Sequence, residues 1–241
     1  MTSLPLTRAA SRSETIARRR SGRWFYLGMA VAALVTLFFS FAPSFYLRPA
    51  TKPVLSLRVV AHGTLFSSWF ILFLIQTGLA ATGRIRLHRW IGFAAASAAL
   101  LMVVTGPFLA IGLARRGLPP GDPLAFMLII LVDLLVFGIF VGAGIYYRKE
   151  RDVHKRLMLL ATISILPPGI SRWPIAVRHV AVIPAVLILF VALAAANDLW
   201  TRRRIHSTTL WGALGLVASM PLRFAIASTG TWHHIASWLT R

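Results

Sequence analysis

The sequence has no cysteine, which excludes disulfides, thiolate metal sites and thiol catalysis. Acidic residues are nearly as scarce: 6 Asp+Glu stand against 26 Lys+Arg, giving a formal net charge of +20. Charged residues make up only 13% of the chain, whereas soluble domains carry roughly a quarter. Lysine is confined to Lys52, Lys149 and Lys155. None lies deep in an apolar run, so a buried Schiff-base lysine is excluded. What fills the chain instead is apolar: 57% of residues are hydrophobic and mean hydropathy is +0.73. That balance is the composition of an integral membrane protein. The basic residues fall between apolar runs of about 20 residues. They read as topology signals and lipid head-group contacts, not as a nucleic-acid surface. The expected partners are the bilayer and other membrane proteins, with no nucleic acid.

The sequence predicts an all-α membrane bundle of seven transmembrane helices. Residues 1–23 are polar and basic and read as a flexible cytoplasmic tail. The membrane domain covers 24–230, and 231–241 form a short interfacial tail. Spans are expected at about 24–42, 57–81, 90–114, 124–147, 153–173, 180–200 and 208–227. The segment 115–121 is turn chemistry. Asp122 reads as an N-cap before Pro123. Gly138 and Gly142 read as a packing face, and the small residues from Ala94 to Ala99 allow close helix approach. The fifth span is unusual. It opens with His154-Lys155-Arg156, breaks at Pro167-Pro168-Gly169 and then delivers Arg172 and Trp173. Proline removes a backbone donor, so the break needs repair by its neighbours.

Charge sets the orientation. With the N-terminus inside, the inner segments hold 17 of the basic residues and the outer face, including residues late in spans, holds 9. The excess sits in short loops and predicts N-inside, C-outside, in a bacterial cytoplasmic membrane.

Depth then sorts the polar residues. His88, His154 and His206 begin the third, fifth and seventh spans at the inner face. They read either as interfacial anchors or as a cluster for axial haem ligation or an anionic head group. In the outer half, His62 lies early in its span and Asp133 lies ~16 Å into the fourth. Arg172 and Arg223 follow proline breaks at 167–169 and at Pro221. An intramembrane charge is a functional-site candidate by default. His62, Asp133, Arg172, Trp173 and Arg223 are therefore the candidate ligand-binding set. At least one arginine is expected to approach Asp133.

No catalytic set is legible. The chain lacks HExxH, di-iron histidine boxes, a Gly-rich phosphate loop and Gly-x-Ser-x-Gly, so no metal site or catalytic residue is assigned. The pieces LHRWIG (87–92) and HKRLML (154–159), with Arg172 a helix later, resemble a group of uncharacterised bacterial polytopic membrane proteins. In that group HRxxG and HxRxM openings begin successive spans. More distantly the chain is similar to cytochrome b561-like bundles, in which histidines near span ends hold b-type haem. That resemblance implies haem b on two of His88, His154 and His206, or on His62 with His179. The leading expectation is a binding or accessory membrane protein whose outer-half pocket takes a small anionic or amphipathic ligand, lipid-like or quinone-like. The alternatives are a b-type haem electron carrier and a small-molecule transporter.

Overall fold

Apolar runs bounded by glycine, proline and basic clusters become helices joined by short turns. The structure is a computed structural model that describes residues 4–118 and 121–241, with the backbone only for 4–21 and 23. Among the described residues there is no strand. The helices are α1 (Leu4–Phe41, continued by a π-helical turn Ala42–Tyr46), α2 (Leu57–Ala81), α3 (Ile85–Arg115), α4 (Pro123–Tyr146) and α5 (Arg151–Ser164). After these come α6 (Pro167–Ile170), α7 (Pro174–Arg178), α8 (Val182–Arg202), α9 (Ser207–Ala227) and α10 (Gly230–Leu239). The basic stretch before Trp24 is helical from Leu4. Of the turn expected at 115–121, Pro119 and Pro120 lie outside the described residues.

Among the described residues six helices are long and apolar enough to cross a membrane: Trp24–Tyr46, α2, α3, α4, α8 and α9. The expected fifth span is different in kind. α5 has 14 residues, or about 21 Å at 1.5 Å per residue, short of a ~30 Å hydrocarbon core. Two prolines then start α6 at the positions where missing N–H groups cost least. The freed groups find local partners. Ser164 Oγ donates to the Ala161 carbonyl at 2.8 Å and Ser171 Oγ to that of Pro168 at 3.0 Å. Pro221 behaves otherwise. It was expected to interrupt its helix, yet α9 runs through it to Ala227. A single proline removes one ladder bond, and without a neighbouring proline and glycine the helix continues.

The bundle is organised around α5, whose residues from Arg156 to Ser164 are buried except for Met158. α4, α9, α1 and α8 pack around it, and the α2–α3 hairpin closes against α1 and α4. One core cluster joins Met29, Ala33, Phe70, Met102, Phe137, Ile163 and Leu187 from these helices. A smaller one joins α3, α4, α9 and α10 through Ala110, Met127, Ala227 and Trp232. Large apolar side chains remain on the outer surface, among them Phe93, Phe108, Ile139, Trp200 and Trp211, as a lipid-facing bundle requires. The α3–α4 contact uses glycine twice. A Cβ at Gly106 would come within 2.5 Å of Leu134, and one at Gly138 within 3.2 Å of Val103. Gly142, read as part of the packing face, faces open space.

Candidate functional site

Of the five residues expected in an outer-half pocket, Asp133 and Arg223 pair with each other. Asp133, in the middle of α4, and Arg223, late in α9, are each 3% exposed. The Arg223 Nη1 donates to Asp133 Oδ1 in a very short contact. Its other nitrogens are held by Ser219, Nε on the carbonyl at 3.1 Å and Nη2 on the hydroxyl at 2.7 Å. The side chain therefore folds back toward the start of α9, the direction helix geometry favours. Asp133 Oδ2 has no partner. Each charge is neutralised by the other, so this pair fastens α9 to α4 and leaves no free cation there.

Arg172 takes the opposite course. It is exposed, its Nη1 donates to the Pro168 carbonyl, and its guanidinium lies over the Phe41 ring at 4.5 Å. Of the two arginines it is Arg223 that meets Asp133, while Arg172, just after the α6 turn, is left exposed. Trp173 follows it and donates from Nε1 to Ser40 Oγ at 2.8 Å. Ser40 in turn donates to the Thr36 carbonyl at 2.6 Å. Gly169 makes this approach possible, since a Cβ there would stand 3.2 Å from Ser40 Oγ. His62 lies half-buried near the start of α2, against Phe66 at 4.1 Å between ring centres and within electrostatic reach of Arg172. His62, Arg172 and Trp173 thus stand together at one end of the bundle, apart from the Asp133–Arg223 pair.

The three histidines at the other end also divide. His88 Nδ1 lies 3.2 Å from the Gln76 carbonyl, and His154 Nδ1 lies 2.7 Å from the Gly144 carbonyl. Each reaches back from the start of its helix to the end of the preceding one. Their ring centres are 6.3 Å apart. His206 does something else: its Nδ1 accepts the Thr208 N–H at 3.1 Å and caps α9. Desolvation, with Arg156 and Arg202 nearby, holds His206 below the ordinary imidazole value.

Sequence reasoning missed the best-connected polar group. Asp198, 0% exposed near the end of α8, is gripped by Arg156 of α5, itself 3% exposed. Arg156 Nε donates to Asp198 Oδ2 at 3.1 Å and Nη2 donates to Oδ1. Thr209 Oγ1 at 2.6 Å and the His206 N–H at 3.2 Å complete the carboxylate's partners. Asp152 extends the network to Arg202 at 2.8 Å and Lys155 at 2.6 Å. The available signal was the scarcity of acids. An acid placed in an apolar helix of so basic a chain calls for a cation at its own depth.

A shallow cleft of about 370 Å³ runs along α10 between His233, His234, Trp238 and Arg241. Apart from Arg241, which follows it, the lining comes from that one helix. Among the described residues the fold is helical without strands, and its six long apolar helices are those of a multi-pass membrane protein. Compared with family models, curated proteins and solved structures, the chain gives no match in any of the three.

Proposed function

We propose that the chain is a binding protein of the bacterial cytoplasmic membrane, N-terminus inside and C-terminus outside, with α5–α7 as a broken seventh crossing. In support of that crossing, α5 begins beside His88 and α6–α7 arrive beside Ser40 and Phe41, at the opposite end of the bundle. The ligand is a small anionic or amphipathic molecule, of the lipid or quinone kind, met at Arg172. One observation carries this reading. Among the described residues Asp133 and Asp198 are each matched to an arginine, while Arg172 has no carboxylate within salt-bridge distance and stands exposed beside His62, Phe41 and Trp173. A guanidinium on an aromatic face offers a fork of donors to a phosphate, carboxylate or carbonyl oxygen, with apolar surface beneath for the ligand's body. Asp133 and Arg223 leave the ligand-binding set and become its support.

The test is titration of purified protein with an anionic lipid or a short-chain quinone, read by tryptophan fluorescence. Arg172→Ala should abolish a saturable response and Arg172→Lys should weaken it by about tenfold, because lysine lacks the planar fork. A response unchanged in Arg172→Ala sinks the reading. Reporter fusions at residue 203 and after residue 241 check the topology, and should give opposite signals.

A further inference from the structure

We propose that the cleft along α10 binds the phosphate of an anionic phospholipid, held by His234, Ser237 and Arg241 in the leaflet around this end of the bundle. The site is built from other residues than Arg172 and does not depend on the reading given for that residue.

α10 has two faces. Trp232 and Ala236 are buried against α4 and α9, and Trp232 Nε1 donates to the Leu124 carbonyl at 2.8 Å. On the opposite side Gly230, His233, His234, Ser237, Trp238 and Arg241 recur at steps of three and four residues and line the cleft. Small Gly230 and Ser237 leave room between the longer side chains, about 370 Å³ in all, within the size range of ligand clefts. His234, Ser237, Trp238 and Arg241 are exposed. They offer a ligand an imidazole N–H, a hydroxyl, an indole N–H and a guanidinium fork.

Charge sets the class of ligand. Among the described residues Asp122 is the one acid at this end of α4, and His233 Nε2 already holds it at 2.7 Å. Glu150 and Asp152 lie beyond the far end of α4, and Asp133 and Asp198 are taken by buried arginines. Arg115 reaches the end of α10, where its Nη2 donates to the Leu239 carbonyl at 3.3 Å. Arg241 follows two residues later. Among the described residues neither arginine has a carboxylate within salt-bridge distance. This surface complements an anion, and a phosphate presents several acceptor oxygens to an arginine's fork of donors.

Position makes that anion a lipid. α10 follows α9, one of the six long apolar helices, through a turn at Ser228 and Thr229. It therefore sits where α9 leaves the hydrocarbon. Ile235 and Trp238 are exposed on α10, and a tryptophan at this boundary places its indole at head-group level. Leu222, Phe224 and Ile226, late in α9, are exposed as well and give acyl chains an apolar flank. A free anion would gain the donors of the cleft and nothing from that flank, whereas a phospholipid gains both.

The experiment titrates the full chain in detergent with phosphatidylglycerol and, separately, with phosphatidylcholine, and counts bound lipids by native mass spectrometry. The expected result is one phosphatidylglycerol held by the wild type that the double variant His234→Gln/Arg241→Gln binds at least about tenfold more weakly. Arg178→Gln removes one exposed charge at the end of the bundle where α8 begins and α9 ends, and should leave this lipid in place. Arg172→Ala should leave it too, so that failure here and failure of the Arg172 reading are seen separately. Millimolar inorganic phosphate should not displace the lipid. Unfolding temperatures establish that each variant is folded. Equal retention of phosphatidylcholine, unchanged retention in the double variant, or an equal loss in Arg178→Gln would overturn the proposal. So would displacement by inorganic phosphate, because that assigns the cleft to a free anion.

Discussion

Two segments of this chain carry the same order of residues and end in different structures. In α5–α7 a histidine opens the segment, prolines come late and Arg172 follows 18 residues after His154. In α9 the capping histidine is His206, Pro221 comes late and Arg223 follows after 17 residues. Arg223 is buried on Asp133; Arg172 is exposed over Phe41. The difference lies in whether helical register survives the proline. The buried residues of α9 are Thr209, Leu216, Arg223 and Ala227, spaced 7, 7 and 4, which is one face of a continuous helix. Pro221 does not disturb that face, so Arg223 stays on it. Pro167-Pro168-Gly169 starts a new helix, and the chain turns again before α7, so residue 172 no longer belongs to the inward face of α5. A charge after a proline is thus placed by the continuity of its helix and not by the proline itself.

The largest test of this comparison strikes the group common to both segments. Asp198 receives Arg156 from α5 and Thr209 and the His206 N–H from the start of α9. Asp198→Leu takes from the buried Arg156 guanidinium the carboxylate that its Nε and Nη2 share, leaving it only the half-exposed Asp152, and should destabilise the protein by about 3 kcal/mol, measured by denaturant unfolding in detergent. A loss below about 1 kcal/mol, the scale of an exposed ion pair, would show that this junction is not what holds the two segments in register.

Next comes the pair that distinguishes α9. Arg223→Leu alone should cost about 3 kcal/mol or more, because Asp133 is stranded in the interior. Adding Asp133→Leu should recover most of that, since two apolar groups of similar size replace the two charges. If the double variant is as unstable as the single one, the arginine has a role beyond neutralising Asp133.

A smaller effect separates the two breaks. Gly169→Ala places a methyl 3.2–3.3 Å from Ser40 and 3.5 Å from Phe41. Ser40 is fixed by Thr36 and Trp173, so it has little room to yield, and the cost should be about 1–3 kcal/mol. Pro221→Ala should change stability by less than about 1 kcal/mol. Equal effects would mean that α9 is as broken as α5–α7. Arg172→Ala, by contrast, should lower stability by less than about 1 kcal/mol while removing ligand binding.

The helices were legible because the bilayer imposes a length that the apolar runs display. α2 was read at 57–81 and is found there, and α9 differs by one residue at its start. The site was less legible, for a physical reason. Arg156 and Asp198 are 42 residues apart, on helices whose relative rotation no local pattern records. The pairing of Arg223 with Asp133 could be anticipated because one mid-membrane acid needs a cation. The choice between Arg172 and Arg223 could not, because it turns on how α6 packs Gly169 against Ser40. The histidines show the same limit: three at the starts of helices look equivalent until the structure gives two of them carbonyl partners and the third a capping role.

The smallest effect expected is a pH response at α10, which α9 leads into. His233 donates from both ring nitrogens, Nδ1 to the Thr229 carbonyl at 2.9 Å and Nε2 to Asp122 Oδ2 at 2.7 Å. Two acceptors require the charged imidazolium. The Thr229 carbonyl first, and Asp122 second, hold His233 above its ordinary value of 6.5. The Ala125 amide and then His233 hold Asp122 below its ordinary value of 3.8. The signs define a window. The histidine's contribution is complete below 6.5 and is lost as pH rises through its raised value; the carboxylate's is complete above 3.8 and is lost as pH falls through its lowered value. Between them α10 is latched to the start of α4, and Trp232 Nε1 donates to the Leu124 carbonyl at 2.8 Å inside that latch. Both charged groups are solvent-exposed, so salt should weaken the response. Hydrogen exchange across residues 230–239 should be slowest in this window and quicken on either side. His233→Gln should flatten the alkaline limb and spare the Asp133–Arg223 pair, whose unfolding midpoint should not move. An alkaline limb unchanged in that variant would assign the pH response to another group.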